Sequence, residues 1–330
     1  MLKYILKRLG LAVLILLGVS LIIYILVRCM PVSFIDDKIA QMNQGGATIP
    51  EETVQNMKAL YGLEDDSFGG ILKGYVNWLS KLVRFDFGTS FKYGVPVIDV
   101  IRDHMGVSFM VALIATFFEF LIAIPLGSTA ATHQYSARDY IVTVLVMVGI
   151  SLPAFFFGQV LKDMFANKLG WFPPSGLVDA TQSLSGFALL GDYLRHLFIP
   201  VLTVVILSLG ARMRMTRTNM LEVLNSDYIR TARAKGLKER TVIYKHAFRN
   251  TLIPLVTSLA GLLPSLFSGA IITEQVFDLP GIGNKAYAAM IVADIPFIMG
   301  YNMFLAMLSV LGVLLADLMY AVVDPRVKLA

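Results

Sequence analysis

The sequence predicts an all-α, polytopic membrane protein with six transmembrane helices, both termini cytoplasmic, and a small extracytoplasmic domain between the first two helices. Three observations predict it. Of 330 residues, 56% are hydrophobic and 15% charged, with a mean hydropathy of +0.70; a soluble domain carries roughly 25% charged residues. Six apolar runs reach the length of about 20 residues that a helix needs to cross hydrocarbon. The basic residues are distributed unevenly among the connecting segments, as they are in membrane proteins that retain Lys and Arg on the cytoplasmic side.

The six expected spans are Leu9–Val27, Ser108–Leu126, Tyr140–Leu161, Phe198–Met215, Leu252–Thr273 and Phe297–Val323. Lys3, Lys7 and Arg8 precede the first. That run is too long for a signal-peptide core and no small-x-small cleavage site follows it, so it reads as a retained helix. Pro125, Pro153, Pro200 and Pro264 lie in or beside spans, where neighbouring groups can satisfy the freed carbonyls. With the N-terminus inside, 16 of the 28 Lys and Arg fall on inner segments, ten of them between Arg212 and Arg249. Topology therefore accounts for most of the net charge of +5, and no nucleic-acid partner is needed.

The chain divides into a first helix (1–29), an extracytoplasmic domain (30–104) and a five-helix membrane core (105–330) that includes an inner loop at 216–251. Within the outer domain, Glu51–Leu63 and Ile71–Val83 read as amphipathic helices. The second places Ile71, Leu72, Tyr75, Trp78, Leu79 and Leu82 on one stripe, which packing on the membrane core would bury. Trp171 and Phe172 in the second outer loop suit an interfacial anchor. The inner loop is basic and lacks proline. Helices over Tyr228–Lys235 and Glu239–Asn250 flank Gly236, a residue suited to the left-handed conformation that ends a helix.

No catalytic or metal site is expected. One cysteine, Cys29, excludes an internal disulfide, and the four histidines are scattered. A phosphate-cradling loop needs a Gly-Lys pair, and the sequence has none.

The stretch Tyr228–Asn250, YIRTARAKGLKERTVIYKHAFRN, closely resembles the cytoplasmic loop of ABC importer permeases of the dipeptide/oligopeptide/nickel branch. Thr231, Ala232 and Gly236 match the spacing of that loop, and Arg230 takes its glutamate slot. Phe85–Ser90 with Pro96-Val97, Leu279-Pro280-Gly281-Ile282-Gly283, and Asp317-x-x-Tyr320-x-x-x-Asp324-Pro325-Arg326 are similar to further stretches of the same branch. Departures are Met30–Phe34, where the branch often has Pro-Gly-Asp-Pro, and Phe85 in a glycine slot.

The resemblance implies a permease subunit in a bacterial or archaeal cell membrane. It would work with a second homologous permease, two ATP-binding subunits that hold ATP and Mg, and an extracytoplasmic substrate-binding protein, and the substrates would be small peptides. The chain itself would carry no cofactor. Nickel or another small solute of the branch is the alternative cargo. A stand-alone secondary transporter and an intramembrane enzyme are the competing classes; the first predicts repeated halves and the second a nucleophile–base or metal constellation, and neither is visible. The resemblance further implies that Thr231–Arg249 couples to the ATPase. Arg230, Thr231, Ala232, Ala234, Gly236, Leu237, Val242 and Phe248 are the candidates, with Ala232, Leu237, Val242 and Phe248 as apolar anchors.

Three carboxylates fall in or beside spans: Glu119, Glu274 and Asp317. A charge near the bilayer centre costs about 2.5–3.5 kcal/mol on insertion scales, so each faces a bundle interior or an aqueous route. Two readings stand for each, a translocation-path group or a packed, hydrogen-bonded carboxylate.

Overall fold

Long apolar helices dominate the computed structural model, which describes residues 2–29, 67–179, 181, 183–258 and 261–323. The first helix, α1, runs Leu2–Arg28, and α2 Phe68–Leu82. The third, α3, is a 36-residue helix over Val97–Thr132, followed by α4 at Ala137–Ser151 and α5 at Ala154–Lys162. A π-helical turn, Asp163–Lys168, continues α5. The longest element, α6, covers Gly186–Leu224 in 39 residues. The expected helix over Glu51–Leu63 lies outside the described residues.

Among the described residues, four helices are long and apolar enough to cross a membrane: Leu6–Arg28, Val97–Thr132, Gly186–Leu224 and Ile295–Asp317. A fifth crossing is available if the pair Ala137–Ser151 and Ala154–Lys168, bent by 99°, forms one span. The bend falls at Leu152-Pro153, where Leu152 is extended (φ −89, ψ 135), because a residue before proline is driven out of the helical region. Pro125 and Pro200 sit inside uninterrupted helices instead. The run Leu252–Thr273 departs from the expected continuous span. It is divided among Phe248–Ser258 (the end of α8, which spans Glu239–Ser258), Leu262–Phe267 (α9) and Ile271–Val276 (α10). Gly269, at φ +73, separates the last two. Helices α11 (Ile282–Ile291) and α12 (Ile295–Val323) complete the described chain.

Two compact units divide the chain. Of the described residues, the first holds 2–29, 67–106 and 285–314. In it α2 packs on α1 through aromatics: Tyr24 and Trp78 stack at 6.2 Å, and Tyr75 meets the Tyr24 ring edge-on at 5.5 Å. The Tyr75 hydroxyl also lies 2.9 Å from Ser20 Oγ. Trp78 and Leu82 of the expected stripe are buried, whereas Leu72 is exposed and Gly74 is buried in its place. The second unit holds the described residues of 107–284 and 315–323. Among the described residues it holds three apolar clusters, and the one at the base of the inner loop frames the candidate site.

Candidate functional site

The inner loop folds into a helical hairpin. Helix α7, Asp227–Ala234, ends as Gly236 turns to φ +75, with its N–H donating to the Arg233 carbonyl at 2.9 Å. That conformation is nearly free for glycine and strained for other residues. The return helix, α8, opens at Glu239–Thr241, widens into a π-helix over Val242–Ala247 and continues as Phe248–Ser258. A fork-shaped ion pair ties the two arms: Arg233 Nη2 donates to Glu239 Oε1 at 2.7 Å and Nε to Oε2 at 3.2 Å. The Arg233 hydrogen bonds hold the Glu239 carboxyl below its usual range.

The hairpin has an inner and an outer face. Ile229, Ala232, Val242 and Ala247 pack with Met220, Leu224 and Ala131 in one buried cluster. Thr251 Oγ, also buried, donates to the Ala247 carbonyl at 3.0 Å. Two of the four expected apolar anchors, Ala232 and Val242, thus pack inside the chain, with Val242 fully buried. Phe248 is half-buried. Leu237 is 40% exposed at the tip, flanked by exposed Arg230, Thr231 and Ala234. Tyr228 and Tyr244 join it on the exposed side without having stood out in the sequence.

Two of the membrane carboxylates, Glu119 and Glu274, belong to separate hydrogen-bonded clusters. Glu119 on α3 is buried and accepts from Arg212 Nε on α6 at 3.0 Å. Arg212 also donates to Ser258 Oγ at 3.0 Å and lies over the Phe120 ring, 4.6 Å from its centroid. Glu119 therefore has its counter-charge within the chain.

Glu274 is fully buried, and its carboxylate organises the Leu279–Gly283 turn. Oε1 accepts from Ser108 Oγ at 2.6 Å and from the Ala270 N–H at 3.1 Å; Oε2 accepts from the Asn284 N–H at 2.9 Å. Ser108 Oγ in turn accepts the Ile282 N–H at 2.9 Å. Gly269, Gly281 and Gly283 all press on this carboxylate so closely that a Cβ at any of them would overlap it or its neighbours. Asp317 is half-buried on α12.

Two further acidic residues were not singled out in the sequence. Asp139, in the first turn of α4, takes both arms of Arg217 on α6, Nε at 2.9 Å and Nη2 at 2.8 Å. In the first unit, fully buried Asp294 accepts from Ser90 Oγ at 2.5 Å and from the N–H groups of Phe91, Lys92 and Phe297. It thereby fastens the Phe85–Val97 segment to the α11–α12 corner. Burial, and then the charge of Asp294, push the nearby Tyr93 hydroxyl up to about 12.

This is a helical membrane protein that presents a braced, basic hairpin between apolar helices. Residues 123–329 match the family model described as binding-protein-dependent transport system inner membrane component, and the chain belongs to that family. It is 34% identical to the oligopeptide transport system permease protein AppB of Bacillus subtilis, over 99% of this chain and all of that one. It is 32% identical to the dipeptide transport system permease protein DppB of Escherichia coli, over 99% of each. A putative peptide transport system permease of Brucella abortus is 34% identical over 98% of each. The crystal structure of the MetNI methionine ABC transporter in inward-facing conformations is similar in fold, with a TM-score of 0.53 and 16% identity, covering 69% of this chain and 97% of that one. The chain is thus an inner-membrane permease component, distinct from the ATPase, of a system that works through several subunits.

Proposed function

We propose that the chain is the permease subunit of an ATP-driven, binding-protein-dependent importer of small peptides. The observation that carries this reading is the end-to-end match to permeases named for oligopeptide and dipeptide transport. In this reading the chain crosses the membrane six times with both ends cytoplasmic, and the fifth crossing is made by the broken helices between Phe248 and Val276. A second homologous permease completes the translocation path. Two ATP-binding subunits supply ATP and Mg chemistry, and an extracytoplasmic binding protein delivers the peptide to the outer domain at 30–104.

The hairpin is the lever. Coupling needs a rigid projection with an apolar tip and a charged surround. Leu237, with Arg230, Thr231 and Ala234, supplies the tip. Ala232 and Val242 transmit motion by anchoring the hairpin to the bundle, Gly236 sets its turn, and half-buried Phe248 lies where the π-helical part of α8 gives way to its last segment. Closure of the ATPase pair would carry the hairpin inward and reopen the path outward. Glu119, paired with Arg212, and Asp317 are the path candidates of the inner and middle region. Glu274 serves the path indirectly, by holding the outer turn.

The test is uptake and assembly together. Cells deleted for this chain should lose accumulation of labelled di- and oligopeptides. The tagged chain should be recovered by intact-complex mass spectrometry with a second permease and two ATPase chains. Unchanged peptide uptake with lost nickel uptake would move the reading to nickel. Transport by the purified chain alone, without ATP, would overturn the importer reading.

A further inference from the structure

We infer that the groove between α4 and α6, at the hairpin end of the second unit, binds the phosphate of an anionic phospholipid of the inner leaflet. The inference rests on the membrane topology proposed above, and it is independent of what is transported.

The groove is a cavity of about 310 Å³ whose lining includes Tyr135, Tyr140, Met147, Gly210, Arg214 and Arg217. Its level follows from its neighbours in the chain. Arg217 lies three residues before Met220, and Tyr135 four after Ala131; Met220 and Ala131 both belong to the buried cluster beneath the hairpin. The groove therefore opens where the apolar helices meet the basic inner loop, the depth of lipid phosphates.

Its charge is unbalanced. The Asp139 carboxylate would repel a phosphate if it were bare, but both its oxygens are taken by Arg217, and the Tyr135 N–H adds a third donor at 3.1 Å. Arg214 is in no ion pair among the described residues. Its Nη2 donates to the Met147 thioether at 3.2 Å, a weak acceptor that a phosphate oxygen would displace readily. One net positive charge thus faces a pocket rimmed by two exposed phenols. Phenols at a membrane interface are at home with lipid headgroups, and basic pockets between helices on this side suit anionic ones.

The wall beside the pocket accepts acyl chains. Ile141, Val144, Leu145 and Val148 on α4 are each between 57% and 68% exposed and form one stripe at helical spacing. Gly210 lets the helices close behind the pocket, since a Cβ there would overlap Ile150 and Val146. A phosphate beside an apolar stripe fits a lipid and gives a soluble phosphate nothing for its second half.

The assembled complex, purified in mild detergent and stripped of lipid, would be titrated with phosphatidylglycerol or phosphatidylcholine, and bound lipid counted by native mass spectrometry. The wild type should retain phosphatidylglycerol preferentially. Arg214→Gln should weaken that retention about tenfold, as for one lost charge-assisted hydrogen bond, while Arg240→Gln on the hairpin leaves it unchanged. Equal retention of the two lipids, or retention unaffected by Arg214→Gln, overturns the inference. Displacement of the lipid by inorganic phosphate overturns it as well. If Arg214→Gln does not assemble, Tyr140→Phe removes one exposed phenol; lost selectivity supports the site and unchanged selectivity overturns it. Peptide uptake is read separately, so failure of the importer reading and failure of the lipid site stay distinguishable.

Discussion

Ser108 and Glu274 lie 166 residues apart and are joined by a 2.6 Å hydrogen bond, with the same serine oxygen holding the Ile282 N–H. One hydroxyl thus links α3, α10 and the Pro-Gly-x-Gly turn.

Removing the carboxylate leaves buried N–H groups without acceptors, at a cost of about 1–3 kcal/mol each. Glu274→Ala should lower the thermal midpoint in detergent more than Ser108→Ala does, by about 2–4 kcal/mol in stability. A midpoint unchanged by Glu274→Ala would show that the turn is held by other contacts.

The hairpin separates two kinds of defect. Val242→Ala opens a cavity in the buried cluster and should cost about 2 kcal/mol, visible in thermal melting. Leu237→Asp touches only the tip. It should leave melting unchanged while cutting peptide-stimulated ATP hydrolysis by the assembled complex about tenfold or more, as for a lost interface anchor. Normal hydrolysis in Leu237→Asp would place the ATPase contact elsewhere.

The Arg233–Glu239 pair is exposed, with 43% and 57% of the side chains accessible, so its worth is at most about 1 kcal/mol. The Glu239 value is depressed in the fold from its ordinary 4.5. The contribution is therefore fully present above pH 4.5 and fades as pH falls through the lowered folded value. Wild type and Glu239→Gln should differ by a small constant gap at neutral pH and converge in acid. Exchanging the two residues should restore the gap that either single reversal removes, as read by melting across that range.

Arg212→Met strands Glu119 as a buried charge and should cost about 3–5 kcal/mol, while the double change Glu119→Leu/Arg212→Met should recover most of it. Uptake then discriminates the two roles of Glu119. A stable double variant that transports normally marks the pair as architectural; a stable one that fails to transport marks the pair as part of the path.

Local periodicity carried much of this fold in the sequence. Four of the six expected spans coincide with long helices, and Gly236 adopts the left-handed turn that its flanks imply. Leu152-Pro153 sets two helices at 99° to each other where Pro125 and Pro200 leave theirs uninterrupted, because only there does the preceding residue leave the helical region. Composition alone does not separate those cases. The run Leu252–Thr273 has the apolarity of a span, yet Gly269 at φ +73 breaks its helical path between Phe267 and Ile271. The polar pairs were hidden for a different reason. Asp139 pairs with Arg217 across 78 residues, and the Ser90 hydroxyl reaches the Asp294 carboxylate across 204; no periodic pattern joins positions so far apart. The inward turn of Ala232 and Val242 was likewise invisible, because the cluster that buries them draws on α3 and α6.

Gly269, Gly281 and Gly283 crowd a single carboxylate, and Ser108 completes the enclosure. Four positions scattered over 176 residues are therefore tied to the identity of a fifth. A lineage that placed alanine at residue 281 would have to shorten or displace the acid at 274, whereas a lineage that lost that acid would relieve only part of the crowding, since Gly269, at φ +73, also presses on the Gly283 backbone and Gly281 on Ser108. The acid can therefore be replaced only by a smaller group that the three glycines already accommodate, which makes the turn a heritable unit despite its dispersal along the chain.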